Sequence, residues 1–240
     1  MNIDSRAQVL GASAAANAHP EVRAEFIRKT YSHLGGAILA FIGLEYILLT
    51  QTNIAQSLAQ LVVSSQFGWL GFLGAFILAG WLARGAASNV GSVGAQYFGL
   101  ALYVVAETII FAPILFIATA FFEPSVLANA ATLTIVLFLG LTLTVFLTRK
   151  DFSFLRSILA ISGMIAFGLI VCSIIFGFTL GLVFSVVMVV IAAGAILYDT
   201  SKVLYHYRTD QHVAASLELF ASIALLFWYI LRILMSLSRR

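Results

Sequence analysis

The stretch AGAILYDTSKVLYHYRTDQHVAASLELFASIALLFWYILRIL, residues 193–234, contains parts of two long apolar runs joined by a polar link. The runs cover residues 178–197 and 214–237, and the first leads directly into the carboxylate of Asp199. Each is long enough for a helix to cross a hydrocarbon layer roughly 30 Å thick. Neither shows the alternating polarity of a barrel strand.

Five more runs precede these two, at residues 31–50, 67–83, 97–118, 127–148 and 155–176. Helices are the expected form, because in lipid each backbone N–H and C=O must be satisfied within its own segment. The fold expected is therefore all-α: a polytopic membrane bundle of seven helices over residues 31–240, preceded by a tail at 1–30. Six spans with a re-entrant or incomplete seventh is the alternative. At Phe176, Gly177 and Phe178 the connection is short enough to require a tight hairpin, which makes the fifth and sixth spans antiparallel neighbours.

Composition agrees with this. The chain is 62% hydrophobic and 10% charged, with a mean hydropathy of +1.05, whereas a soluble domain carries roughly 25% charge. The tail lacks the basic start and apolar core of a cleavable signal peptide. A short helix after Pro20 could lie on the membrane surface through Val22, Phe26 and Ile27, or the tail could simply lead into the first span. With the tail cytoplasmic, ten basic residues collect on the inner side: Arg6, Arg23, Arg28, Lys29, Arg84, Arg149, Lys150, Arg156, Lys202 and Arg208. The other three, Arg232, Arg239 and Arg240, are the exceptions to this positive-inside distribution. Topology accounts for the net charge of +3 without nucleic acid.

The chemistry must come from the few polar groups embedded in the runs. Asp199 is followed three residues later by Lys202, close enough to pair along a helix. An aspartate withdrawn from water instead needs a cation, hydrogen bonds or a proton. Glu45 and Glu107 have no partner along their own helices and raise the same question, with Arg84 and Arg232 as staggered positive charges. Ala192, Ala193, Gly194 and Ala195 allow close helix crossings beside Asp199. The single cysteine, Cys172, offers neither a disulfide nor a thiolate cluster. His33 could approach Asp199 across helices, while His206 and His212 read as part of a hydrophilic loop. No zinc-protease, phosphate-loop or dinucleotide motif is present, so neither an enzyme nor a bound cofactor is expected.

Three motifs carry a family resemblance: FIRKTYSHLGGAILAF at 26–41, AETIIFAPIL at 106–115, and YDTSKVL at 198–204 followed by LELFASIALLFWYILRIL at 217–234. They resemble the Bax inhibitor-1 (transmembrane Bax inhibitor motif) family, in its bacterial YccA-like branch. The resemblance implies a bundle whose last helix is central, with a monomeric core in the bacterial cytoplasmic membrane. It also implies a pH-sensitive calcium leak, in which two aspartates share a proton and interact with an arginine. In the bacterial branch it further implies modulation of the membrane-bound FtsH protease. The first aspartate carries over to Asp199, where a weak contact with calcium as the transported ion is conceivable, and by position the arginine corresponds to Arg84. Ser222 stands where the second aspartate is expected. Serine cannot share that proton, and Glu218, one helical turn earlier, is the candidate replacement.

Two readings follow. In one, Asp199, coupled to Glu218, gates a cation pathway through its bond to Arg84 or Lys202. In the other, the bundle does not conduct and instead modulates a protease through its tail.

Overall fold

A computed structural model of the protein describes residues 14–64 and 66–238. Arg6, Arg239 and Arg240, counted above for orientation, lie outside the described residues. Among the described residues a 3-10 turn at Ala15–Asn17 leads into eight α-helices. These are α1 (Pro20–Thr50), α2 (Ile54–Ser64), α3 (Gln66–Ala87), α4 (Val93–Phe121), α5 (Pro124–Thr148), α6 (Leu155–Phe176), α7 (Leu182–Tyr205) and α8 (His212–Ser238). All except α2 are long and apolar enough to cross a membrane. The protein is thus an all-helical, multi-pass membrane bundle with seven candidate spans.

Three local features depart from the sequence reading. The segment after Pro20 is no separate surface helix. Pro20 opens α1 at a position where its fixed φ suits the first turn, Glu21 complements the helix dipole, and the helix then continues to Thr50. Helix α2 lies between the first two spans, where the sequence suggested only a loop. The hairpin between α6 and α7 is short, but it occupies residues 177–181 and not a single glycine. Gly177 takes the left-handed conformation, φ +71°, that ends α6 without a Cβ penalty.

Helix α8 sits at the centre, as the resemblance implies, packing on α1, α3, α4, α5 and α7. It shares that place with α4, whose best membrane-spanning window is 61% buried against 44% for α8. Phe111 of α4 joins the two, meeting Trp228 edge-on with ring centroids 5.0 Å apart and stacking on Phe227 at 5.7 Å. Since lipid is as apolar as the core, this van der Waals interlock holds the bundle together more than any escape from water. Helix α3 docks on α4 at Gly99, where a Cβ would stand 2.5 Å from both the Ala83 carbonyl oxygen and the Ala87 amide nitrogen. Helix α6 is peripheral, with only 6% of its window buried.

Candidate functional site: a polar cluster at one end of a long cavity

Helix α7 delivers Asp199 to the interior at 7% exposure, next to the central helix. There the Ser222 hydroxyl of α8 donates to Asp199 Oδ2 over 2.6 Å. Ser222 lies among the small residues of α8, and so brings a donor to the carboxylate without filling the space between the helices. A charge-assisted bond of this length belongs to the stronger class of protein hydrogen bonds.

One turn earlier on α8, Glu218 engages α3. Arg84 Nε donates to both of its carboxylate oxygens, at 3.0 and 3.1 Å. The guanidinium also lies over the Tyr103 ring of α4, 5.0 Å from its centroid, with Nη2 3.4 Å from the Tyr103 hydroxyl. Glu107, one further turn along α4, is buried beside that hydroxyl. Four helices thus contribute to one cluster: α3 an arginine, α4 a tyrosine and a glutamate, α7 an aspartate, α8 a glutamate and a serine.

The structure redraws the pairs expected from sequence. Arg84 bonds to Glu218, and Asp199 bonds to Ser222. Lys202 forms no ion pair with Asp199 among the described residues. Its ammonium lies over the rings of Tyr198 and Tyr207, 5.2 and 4.7 Å from their centroids. The reason is one of solvation: Asp199 points into the bundle, and a lysine that followed it would lose its hydration, whereas ring faces let the ammonium remain partly solvated. His33 does not approach Asp199 either. It bonds to the Lys29 carbonyl and the Tyr97 hydroxyl, at 2.7 and 2.8 Å, and its ring rests 4.9 Å from that of His212.

A cavity of about 1230 Å³ begins at this cluster and runs through the bundle to Arg232 near the far end of α8. Arg84, Glu107, Asp199, Glu218 and Ser222 line one end, and the walls beyond are mainly apolar. Glu45 is not in its lining. That residue is buried at 4% exposure, with no hydrogen-bond partner for either carboxylate oxygen, so the staggered series Arg84, Glu107, Glu45, Arg232 is interrupted at Glu45. No group of three or more His, Cys, Asp or Glu side chains arranged to hold a metal ion occurs among the described residues.

Contacts that the sequence did not reveal fasten this end of α7 from outside the spans. The Tyr205 hydroxyl donates to the Arg149 carbonyl at 2.5 Å, the Phe152 amide donates to Ser201 Oγ at 3.2 Å, and His206 Nε2 meets Asp151 Oδ2 at 2.9 Å. Slight burial opposes the charge on Asp151, but hydrogen bonds from Ser153 and His206 hold its carboxyl below the usual aspartate value. Burial, reinforced by the nearby Glu218 and Asp199 carboxylates, pushes the Tyr207 phenol well above its usual value and keeps it neutral. On the other side of this link, the Ala15 amide donates to the Tyr207 carbonyl at 2.8 Å, and Ala14 forms an antiparallel bridge with Arg208. None of these contacts between segments was legible in the linear order, because each joins positions far apart in the chain.

The sequence model of the family described as inhibitor of apoptosis-promoting Bax1 matches residues 23–239. Protein LIFEGUARD 3 of Arabidopsis thaliana is 27% identical, over 92% of this chain and 88% of its own. An uncharacterized membrane protein of Vibrio cholerae is 34% identical over 112 residues, 46% of this chain and 50% of that protein, so the match spans only half of this bacterial relative. The Golgi anti-apoptotic protein of Vaccinia virus (strain Lister) is 25% identical over 92% of this chain and 90% of its own. No solved structure matches the chain at a significant level.

Proposed function

The chain belongs to the Bax inhibitor-1 family, and on that footing we propose that it is a pH-sensitive cation leak, with calcium as the transported ion, closed at its cytoplasmic end by the Asp199 cluster. The observation that carries the reading is the 2.6 Å bond from Ser222 to Asp199, which ties α7 to α8 where the long cavity ends. Charged Asp199 accepts that bond, and the Arg84–Glu218 pair one turn away on α8 ties α3 to the same closure. When Asp199 is protonated the charge-assisted bond from Ser222 is lost and the contact between α7 and α8 weakens, so conduction rises as pH falls. Glu218 is engaged by Arg84, and Ser222 stands where the family pattern has its second aspartate, so Asp199 faces a hydroxyl in place of a second carboxylate. The orientation that fits is N-terminus inside, in a bacterial cytoplasmic membrane, with the basic residues on the cytoplasmic side.

Purified protein in calcium-free liposomes tests this reading. Calcium entry should rise as pH falls, and Asp199→Asn, which keeps a polar group beside Ser222, should flatten the pH response. Absence of flux at every pH from protein that retains its helical circular dichroism would exclude the leak.

A second reading, modulation of the membrane-bound FtsH protease, is favoured by one feature. The chain just before α1 is anchored by the Ala15 amide to the link between α7 and α8, so a partner engaging the tail would act directly on the helix that carries Asp199. Co-purification from native membranes, with and without residues 1–13, tests it: the protease should be retained by the full chain and lost with the deletion.

A further inference from the structure

The cavity has opposite electrical character at its two ends. At one end, two carboxylates and Glu107 surround Arg84. At the other end, the mouth, stands Arg232, which has no carboxylate within ion-pair distance among the described residues; its guanidinium lies over the Tyr229 ring, 6.0 Å from the centroid, and Nη2 donates to the Leu180 carbonyl at 3.4 Å. Between the two ends the wall is mainly apolar, and the volume exceeds the roughly 300–1000 Å³ of pockets that enclose drug-sized ligands. One wall comes from the peripheral helix α6, through Ile170 and Ser173. Helix α6 packs on α7 and α3, and the cavity fills the space between it and the central pair α4 and α8. Trp228 and Tyr229 line the cavity next to Arg232 on the inward side, Trp228 packed on Phe111 and Tyr229 buried at 4% exposure.

We infer that this mouth binds an anionic phospholipid from the surrounding bilayer, its phosphate at Arg232 and one acyl chain in the apolar part of the cavity. A guanidinium presents paired donors that match a phosphate, and the ligand is present in the membrane at high effective concentration. The lining answers both halves of such a molecule, a single cation for the headgroup and a long apolar wall for the chain. The inference does not depend on conduction. If ions do pass, the bound chain lies in their route and its release becomes a condition for flow.

Binding can be read without measuring flux. The chain has three tryptophans, so a W69F/W81F variant leaves Trp228, on the cavity wall one helical turn inward from Arg232, as the sole tryptophan. In phosphatidylcholine nanodiscs, brominated-chain phosphatidylglycerol should quench it at a mole fraction about fivefold lower than brominated-chain phosphatidylcholine, the preference expected of one basic residue at a membrane surface. Arg232→Gln should abolish the preference and Arg232→Lys should keep part of it. Ser173→Phe, which fills the mouth from α6 without altering charge, should reduce quenching by both lipids and serves if Arg232→Gln does not fold. Equal quenching by the two lipids in the parent would mean ordinary annular contact and would overturn the inference. So would a preference that survives Arg232→Gln, which would trace to the net charge of the chain, or selective quenching by a brominated fatty acid in place of the phospholipid.

Discussion

Ser222 is a hydroxyl where its family resemblance led us to expect a carboxylate, and the difference alters what Asp199 needs. Two facing carboxylates can remain buried by sharing a proton. A serine supplies a donor instead, so Asp199 can be charged and satisfied at once. Removing that donor should therefore be costly: Ser222→Ala leaves a buried acceptor short of a partner and should destabilise the bundle by about 1–3 kcal/mol. Thermal unfolding in detergent would reveal the loss, and an unchanged midpoint would mean that water replaces the hydroxyl. The sequence indicated both Asp199 and the departure at Ser222, because each lies in an identifiable motif. It could not indicate that Arg84 selects Glu218, because that choice depends on how α3 is rotated against α8. Nor could it indicate Tyr103, whose ring positions the guanidinium and whose motif looks like any aromatic residue in an apolar run.

The helices differ in how much of their packing could be read in advance. The existence of the seven long helices followed from apolar length, although α1 begins eleven residues before its apolar run and α2 was missed. Their contacts did not, and the glycines show why. Gly36 and Gly99 both sit in apolar runs, yet a Cβ on Gly36 would meet nothing within 4 Å while one on Gly99 would strike the backbone of α3. Gly99→Ala should force α3 and α4 apart at a cost of about 1–3 kcal/mol, whereas Gly36→Ala should be neutral or slightly stabilising through better helix propensity. Paired melting curves of the two variants would check this, and equal shifts would refute it. The clasp between the α5–α6 link and the end of α7 supplies a pH dependence of known sign. Asp151 is held below its usual value in the folded protein, so its stabilising contribution is fully present above the ordinary aspartate pKa. It is lost as pH falls through the lower, folded value. Asp151→Asn should therefore lower stability in neutral and mildly alkaline buffer and change it least at a pH below the folded Asp151 value, so that the variant loses less stability than the parent on acid titration.

At the scale of the whole molecule, hydropathy made the seven spans legible because a bilayer imposes the same length on each of them. The cavity was not legible, since it is a space left between side chains from several helices and has no signature in any one. Helix α2 escaped notice because eleven residues are too few to span and its apolar character merges with the runs beside it. The peripheral position of α6 leaves Cys172 exposed on the bundle, within a segment long enough to lie in lipid. In intact vesicles Cys172 should react with a lipophilic maleimide and resist a charged, membrane-impermeant thiosulfonate. Rapid labelling by the charged reagent would place that helix in water and contradict the seven-span arrangement.

At about 1.5 Å per residue, the 31 residues of α1 extend about 46 Å, well beyond the hydrocarbon thickness. The first turns of the helix therefore form a stiff post standing clear of the lipid, with Phe26 wedged into the same core as Ala15 and Val203. Traction applied ahead of Ala15 would not be absorbed by slack chain. It would reach the Tyr207 link at once, making the turn at Ala15 a handle by which an outside force could work the helix that carries Asp199.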